Sequence, residues 1–124
     1  MITLLIIDDD AMTSRMYEKA FALERHKVVV ANSAEDGLQK ARTESLDVIL
    51  LDIMMPKKSG LAVLKELKAH PETRTIPVII LTNLDKNKDI EAALSMGAVK
   101  YLVKAEHTPK EIVQQVEETL SASK

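Results

Sequence analysis

"LLIIDDDAM" (residues 4–12) runs four apolar residues straight into three consecutive aspartates. The apolar part is short and offers no polar face, as a strand covered on both sides does. It then stops on Asp8, Asp9 and Asp10, whose like charges repel and resist the loss of water. A strand that ends this way meets either a solvated loop or a cation site at the edge of a sheet. Asp10 fits the first role, as a helix-start residue favoured by the helix dipole.

The same kind of run recurs outward from this stretch: "ITLLII" (2–7), "KVVVA" (27–31), "DVILL" (47–51), "PVIIL" (77–81) and "VKYLV" (99–103). Between them lie apolar residues at helical spacing. The first stripe is Met12, Met16, Ala20 and Leu23. Leu38 and Ala41 follow, then Leu61, Leu64 and Leu67, then Ile90, Ala93 and Leu94, and last Ile112, Val113, Val116 and Leu120. "TPKE" (108–111) reads as a capping box with Thr108 at the N-cap, and "SAED" (33–36) as a weaker version. Gly97 suits a helix C-terminus in the left-handed region, and Pro71 and Pro77 bracket a loop. Alternating strands and helices with short connections predict an α/β fold, a five-stranded parallel sheet with helices on both faces.

Length and composition bound what such a sheet does. At 124 residues the chain is expected to form one domain over 1–124, and 46% hydrophobic with 29% charged residues is ordinary for a globular protein. A net charge of −2, no basic stripe, one Phe, two Tyr and no Trp argue against direct nucleic-acid binding. Without cysteine there is no thiolate chemistry and no disulfide. His26, His70 and His107 are too far apart to suggest a ligand pair and read as surface or capping residues. The N-terminal apolar run is too short for a signal peptide or a membrane span, so a cytoplasmic protein with no membrane contact is the default expectation.

In open parallel sheets, ligands bind beyond the carboxyl ends of the strands. Strand one ends in Asp8 and Asp9, strand three in Asp52, strand four in Thr82 and strand five in Lys104. Three crowded carboxylates call for a cation, and oxygen ligands with room for water and phosphate suit Mg²⁺. Lys104 would hold Asp52 ionised and offset charge on an incoming anion, while Thr82 supplies a hydroxyl. The set fits phosphoryl transfer to a carboxylate, with Asp52 as nucleophile. Neither GxxxxGK[ST] nor GxGxxG occurs, so a nucleotide cradle is not expected.

These residues give the chain its resemblance to the receiver domain of two-component response regulators, over about residues 2–120. The motifs are the strand closed by Asp8 and Asp9, "LLDIMMPKKSG" (50–60), "IILT" (79–82) and "GAVKYLVK" (97–104), with spacings that fit the family. The resemblance implies a flavodoxin-like sheet of order 2-1-3-4-5. It implies Asp52 as phosphoacceptor from a sensor histidine kinase or histidine phosphotransfer protein, with activity limited to its own phosphotransfer and autodephosphorylation. Asp8, Asp9, Asp52 and the backbone carbonyl of Met54 would bind Mg²⁺. Thr82 and Tyr101 would be the switch pair, and Lys104 the phosphate contact. Pro56 would fix φ in the loop after Asp52, and Gly60 would let the chain bend into the next helix. Phosphorylation would alter the face formed by the fourth helix, fifth strand and fifth helix, for a downstream target or fused output domain.

Two positions depart from the family pattern. Ala105 replaces the usual proline after the lysine, normally in a cis peptide, and predicts a trans, differently shaped loop. Asn83 replaces a small residue after the switch threonine and could alter water access. Two rivals differ in class. A haloacid-dehalogenase-type phosphatase wants a second Asp two residues after the nucleophile, where this chain has Met54. A degenerate receiver acting as a phosphorylation-independent interaction module would need the Ala105 departure to spoil the geometry. The end at "SASK" fits a stand-alone receiver or a piece of a longer regulator.

Overall fold

The computed structural model describes residues 1–122; the last two residues of the expected domain, within "SASK", lie outside that range. Five strands, β1 (Thr3–Ile7), β2 (Lys27–Ala31), β3 (Val48–Leu51), β4 (Val78–Thr82) and β5 (Lys100–Val103), form one parallel sheet of order 2-1-3-4-5. Helices α1 (Ala11–Leu23), α2 (Ala34–Thr43), α3 (Gly60–Ala69), α4 (Asn87–Ser95) and α5 (Pro109–Ala122) connect and follow them. A single 3₁₀ turn, Lys104–Glu106, links β5 to α5.

Alternation along the strands divides the apolar residues between two cores. Leu5, Ile7, Ile49, Leu51, Val78 and Ile80 face Ala41, Val63, Leu64, Leu67 and Ala93 of α2, α3 and α4. Leu4, Ile6, Val48, Leu50, Ile79, Leu81 and Leu102 face Tyr17 and Phe21 of α1 and Ile112, Val113 and Val116 of α5. Every residue of β3 and β4 is buried, as their unbroken apolar runs predict, while the edge strands β2 and β5 are mostly half-buried.

The capping box forms: the Thr108 N–H donates to Glu111 Oε1 at 2.7 Å and the Glu111 N–H to Thr108 Oγ1 at 3.2 Å. Asp10 caps α1 by accepting from Met12 and Thr13, and Ser33 caps α2 by accepting from Asp36. Gly97 ends α4 at φ 108°.

The expected stripe on α1 is wrong. Met12 and Leu23 are each 84% exposed, and the face turned to the sheet carries Ser14, Tyr17 and Phe21. The two stripes have the same spacing, and the helix turns to bury its aromatic rings rather than its methionines. On α4 only Ala93 is buried, with Leu94 at 44% exposure. His26 also departs from a surface role. Its Nδ1 accepts from the Ile2 N–H at 3.0 Å and its Nε2 lies 2.8 Å from Glu117, tying the start of the chain to α5.

Candidate functional site

The register of the sheet places the acids. Ile7 pairs with Ala31 on one side and Leu51 on the other, so the residues that follow β1 and β3 emerge together at one rim. Asp8 and Asp52 are buried there at 3% and 6% exposure, and Asp9 is exposed beside them. One carboxylate oxygen from each of the three lies within 4.8 Å of the others.

Lys104 is the cation among them. Its Nζ donates to Asp8 Oδ2 at 2.7 Å and to Asp52 Oδ2 at 2.8 Å. Burial works against its charge, but the bonds to Asp52 and Asp8 outweigh burial and hold the ammonium above its ordinary value. For Asp8 burial wins over the Lys104 bond, and its carboxyl is raised. The other Asp52 oxygen, Oδ1, accepts from the Met54 N–H at 2.8 Å. The Ala105 departure has therefore not displaced Lys104, and no cis peptide bond occurs among the described residues.

Neighbouring loops brace the acids. Asp8 Oδ1 accepts from the Asp10 N–H at 2.9 Å, and Asn32 Nδ2 donates to the Asp8 carbonyl at 2.8 Å and to Ser14 Oγ at 3.1 Å. Gly60 acts by close approach rather than by bending. A Cβ there would sit 2.3 Å from the Asp52 carbonyl oxygen and 2.4 Å from Ile53 Cα, so any side chain would push the start of α3 off the acceptor loop. Pro56 opens a three-residue turn in which its carbonyl accepts from the Lys58 N–H at 2.6 Å, with Lys57 at φ 65°.

Thr82 ends β4 fully buried, its hydroxyl 3.4 Å from the Leu84 N–H. Tyr101 is half-buried and turned inward, with Oη donating to the Leu84 carbonyl at 2.5 Å. Burial, helped by Asp89, Asp52 and Asp85, pushes its hydroxyl up to about 12. A cavity of about 520 Å³ opens over Asp8, Asp9, Asp52 and Lys104, with Met54, Asn83, Tyr17 and His107 in its wall.

Sequence reasoning missed Asn32, Tyr17 and the contact between Asn83 and Ala105. The strand-end rule that found the acids also points to Asn32, the residue after β2. Tyr17 carries no such signal: it lies within α1, away from every strand end, on a stripe whose spacing matches that of the methionines.

Three carboxylate oxygens this close form a donor set that suits a hard divalent ion such as Mg²⁺. The chain also matches known proteins. The family model described as "Response regulator receiver domain" matches residues 4–117. Protein PilH of Pseudomonas aeruginosa is 39% identical over 106 residues, which cover 84% of this chain and 86% of PilH. Response regulator PleD of Caulobacter vibrioides is 37% identical over 101 residues, 82% of this chain but only 22% of PleD. Among solved structures, the receiver domain of the Francisella response regulator 1452 is similar with a TM-score of 0.89, at 28% identity and with both chains covered completely. The chain belongs to the receiver domains of two-component response regulators. No helix among the described residues is long and apolar enough to cross a membrane.

Proposed function

We propose that the chain is a phosphorylation-controlled signalling receiver, with Asp52 as its phosphoacceptor. The observation that carries this reading is the Lys104 ammonium shared between Asp8 and Asp52 beside Asp9, at the mouth of the one rim where β1, β3 and β5 deliver charged side chains. Asp8, Asp9, Asp52 and the Met54 carbonyl would hold Mg²⁺, which when bound neutralises charge on the phosphoryl oxygens. In the transfer, an Asp52 carboxylate oxygen forms a bond to phosphorus as the P–N bond of a donor phosphohistidine breaks, the imidazole leaving with the electron pair. Lys104 would turn from the carboxylates to a phosphoryl oxygen, and Thr82 would give its hydroxyl to another.

Donor and readout follow from the family. A sensor histidine kinase or histidine phosphotransfer protein would supply the group. A downstream target or fused output domain would read the α4–β5–α5 face around Tyr101, in the cytoplasm. The contact of Lys104 with both acids counts against a degenerate, phosphorylation-independent receiver. Incubation with Mg²⁺ and acetyl phosphate, followed by intact mass, is the test. The wild type should gain one phosphoryl group, about 80 Da, and Asp52→Asn none. Equal incorporation in the two proteins, or none in either, would sink the reading.

A further inference from the structure

We propose that Asn83 is a positioning residue for Lys104, acting through the backbone of the connection between β5 and α5. The inference rests on the phosphoacceptor reading and goes beyond it. Asn83 Oδ1 accepts from the Ala105 N–H at 3.0 Å, joining the segment after β4 to the residue that follows the lysine. Both residues lie in the wall of the cavity over Asp52. The bond lies just beyond the β4–β5 ladder, which ends with Thr82 opposite Val103, so a side-chain link holds the two chain segments together past the last paired position.

That extra step bears directly on the lysine loop, a short 3₁₀ turn that opens on Lys104 itself. The 3₁₀ turn Lys104–Glu106 ends on a long bond, from the His107 N–H to the Lys104 carbonyl at 3.3 Å. Proline at 105 would have no N–H to give, and a small apolar residue at 83 would have no acceptor to offer. The two unusual positions are therefore one device: Asn83 catches the amide that Ala105 leaves available. Thr82 and Lys104, the hydroxyl and the ammonium proposed to meet the phosphoryl group, are each the immediate neighbour of one partner in this bond. A shift of residues 82–84 toward the site would pull the lysine loop with it.

Four proteins decide the matter: Asn83→Ala, Asn83→Asp, Ala105→Pro and the double variant Asn83→Ala/Ala105→Pro. The readouts are the rate of phosphorylation by acetyl phosphate with Mg²⁺, the melting temperature, and amide exchange at Ala105 by NMR. The bond is exposed, and the loss of one such bond corresponds to a factor of about five, with a spread from two to ten. Asn83→Ala should slow phosphorylation and speed Ala105 exchange by about that factor, with little change in melting temperature. Asn83→Asp keeps an acceptor and should keep the Ala105 amide protected. In the Ala105→Pro background, Asn83→Ala should have no further effect on rate. An unchanged rate in Asn83→Ala, or an equal loss with and without proline at 105, would overturn the proposal. Failure of the wild type to take up phosphate would instead sink the phosphoacceptor reading, and Ala105 exchange in Asn83→Ala would still accept or reject the latch.

Discussion

Asp8 and Lys104 touch, and burial acts on both, yet it decides the outcome for only one. Burial dominates at Asp8 and leaves its carboxyl above the ordinary 3.8, whereas the bonds from Lys104 to Asp52 and Asp8 overcome burial and leave the ammonium above 10.5. Both shifts are upward, so both groups bind protons more tightly in the folded protein, and both favour folding most at pH below their unfolded values. For Asp8 that means a penalty at neutral pH, relieved as pH falls through the raised value toward 3.8. For Lys104 it means a contribution intact at neutral pH and lost as pH climbs beyond 10.5. Asp8→Asn should therefore raise the melting temperature of the metal-free protein at pH 7 by about 1–3 °C. If the site takes Mg²⁺ as proposed, the wild type should gain about 1.4 kcal/mol at ten times the Kd, and Asp8→Asn should abolish that gain. Calorimetry in EDTA and in Mg²⁺ measures both; a variant that melts lower in EDTA and still responds to Mg²⁺ would remove Asp8 from this role. These residues were legible in the sequence because each ends a strand, and a strand end fixes where a side chain emerges. The interplay between them was not legible, since it depends on which oxygen the ammonium reaches and how much water remains.

Helix α1 marks the limit of reading elements from periodicity. Met12, Met16, Ala20 and Leu23 form a good apolar stripe, but so do Tyr17 and Phe21 with small Ser14, and one helix turns only one stripe to the sheet. Spacing is the same for both, so the choice falls to packing: Phe21 is fully buried and Tyr17 2% exposed, between Leu4, Ile6 and the apolar face of α5. Phe21→Ala should cost about 3–5 kcal/mol in urea unfolding. Met12→Ala, at a side chain 84% exposed, should stay within about 0.5 kcal/mol. The reverse order would restore the methionine stripe as the core face. Elements marked by local chemistry fared better. The Thr108–Glu111 box and Gly97 were readable because caps are made by neighbours in sequence, whereas the phase of a helix is settled by residues far along the chain.

Lys104 makes the whole sheet a single electrostatic unit. It follows β5 directly, yet its partners follow β1 and β3, and β4 stands between. With strands about 4.8 Å apart, the side chain must cross roughly 10 Å of sheet edge to reach Asp52. It crosses over the end of β4, where Thr82 is fully buried. A phosphoryl group on Asp52 would compete for this ammonium and this hydroxyl together, so its arrival would be felt at the ends of β4 and β5 and at Asp8, which shares the ammonium, and hardly at all in the bodies of β1 and β3. Tyr101 carries the effect outward: it pairs with Ile80 in the sheet, and its Oη holds the Leu84 carbonyl at 2.5 Å. Any movement of the 82–84 segment must break that bond or drag the ring. Hydrogen exchange with Mg²⁺ and beryllofluoride, a phosphoryl mimic, should therefore change protection in residues 82–90 and 99–106 beyond the direct contacts at 52–60. Residues 3–7 and 48–51 should stay as they were. Tyr101→Phe lacks the link to Leu84, so its 83–86 segment should exchange faster before the mimic is added and respond less to it. Protection spread evenly over the sheet, or confined to 52–60, would mean that the lysine neutralises charge without transmitting anything.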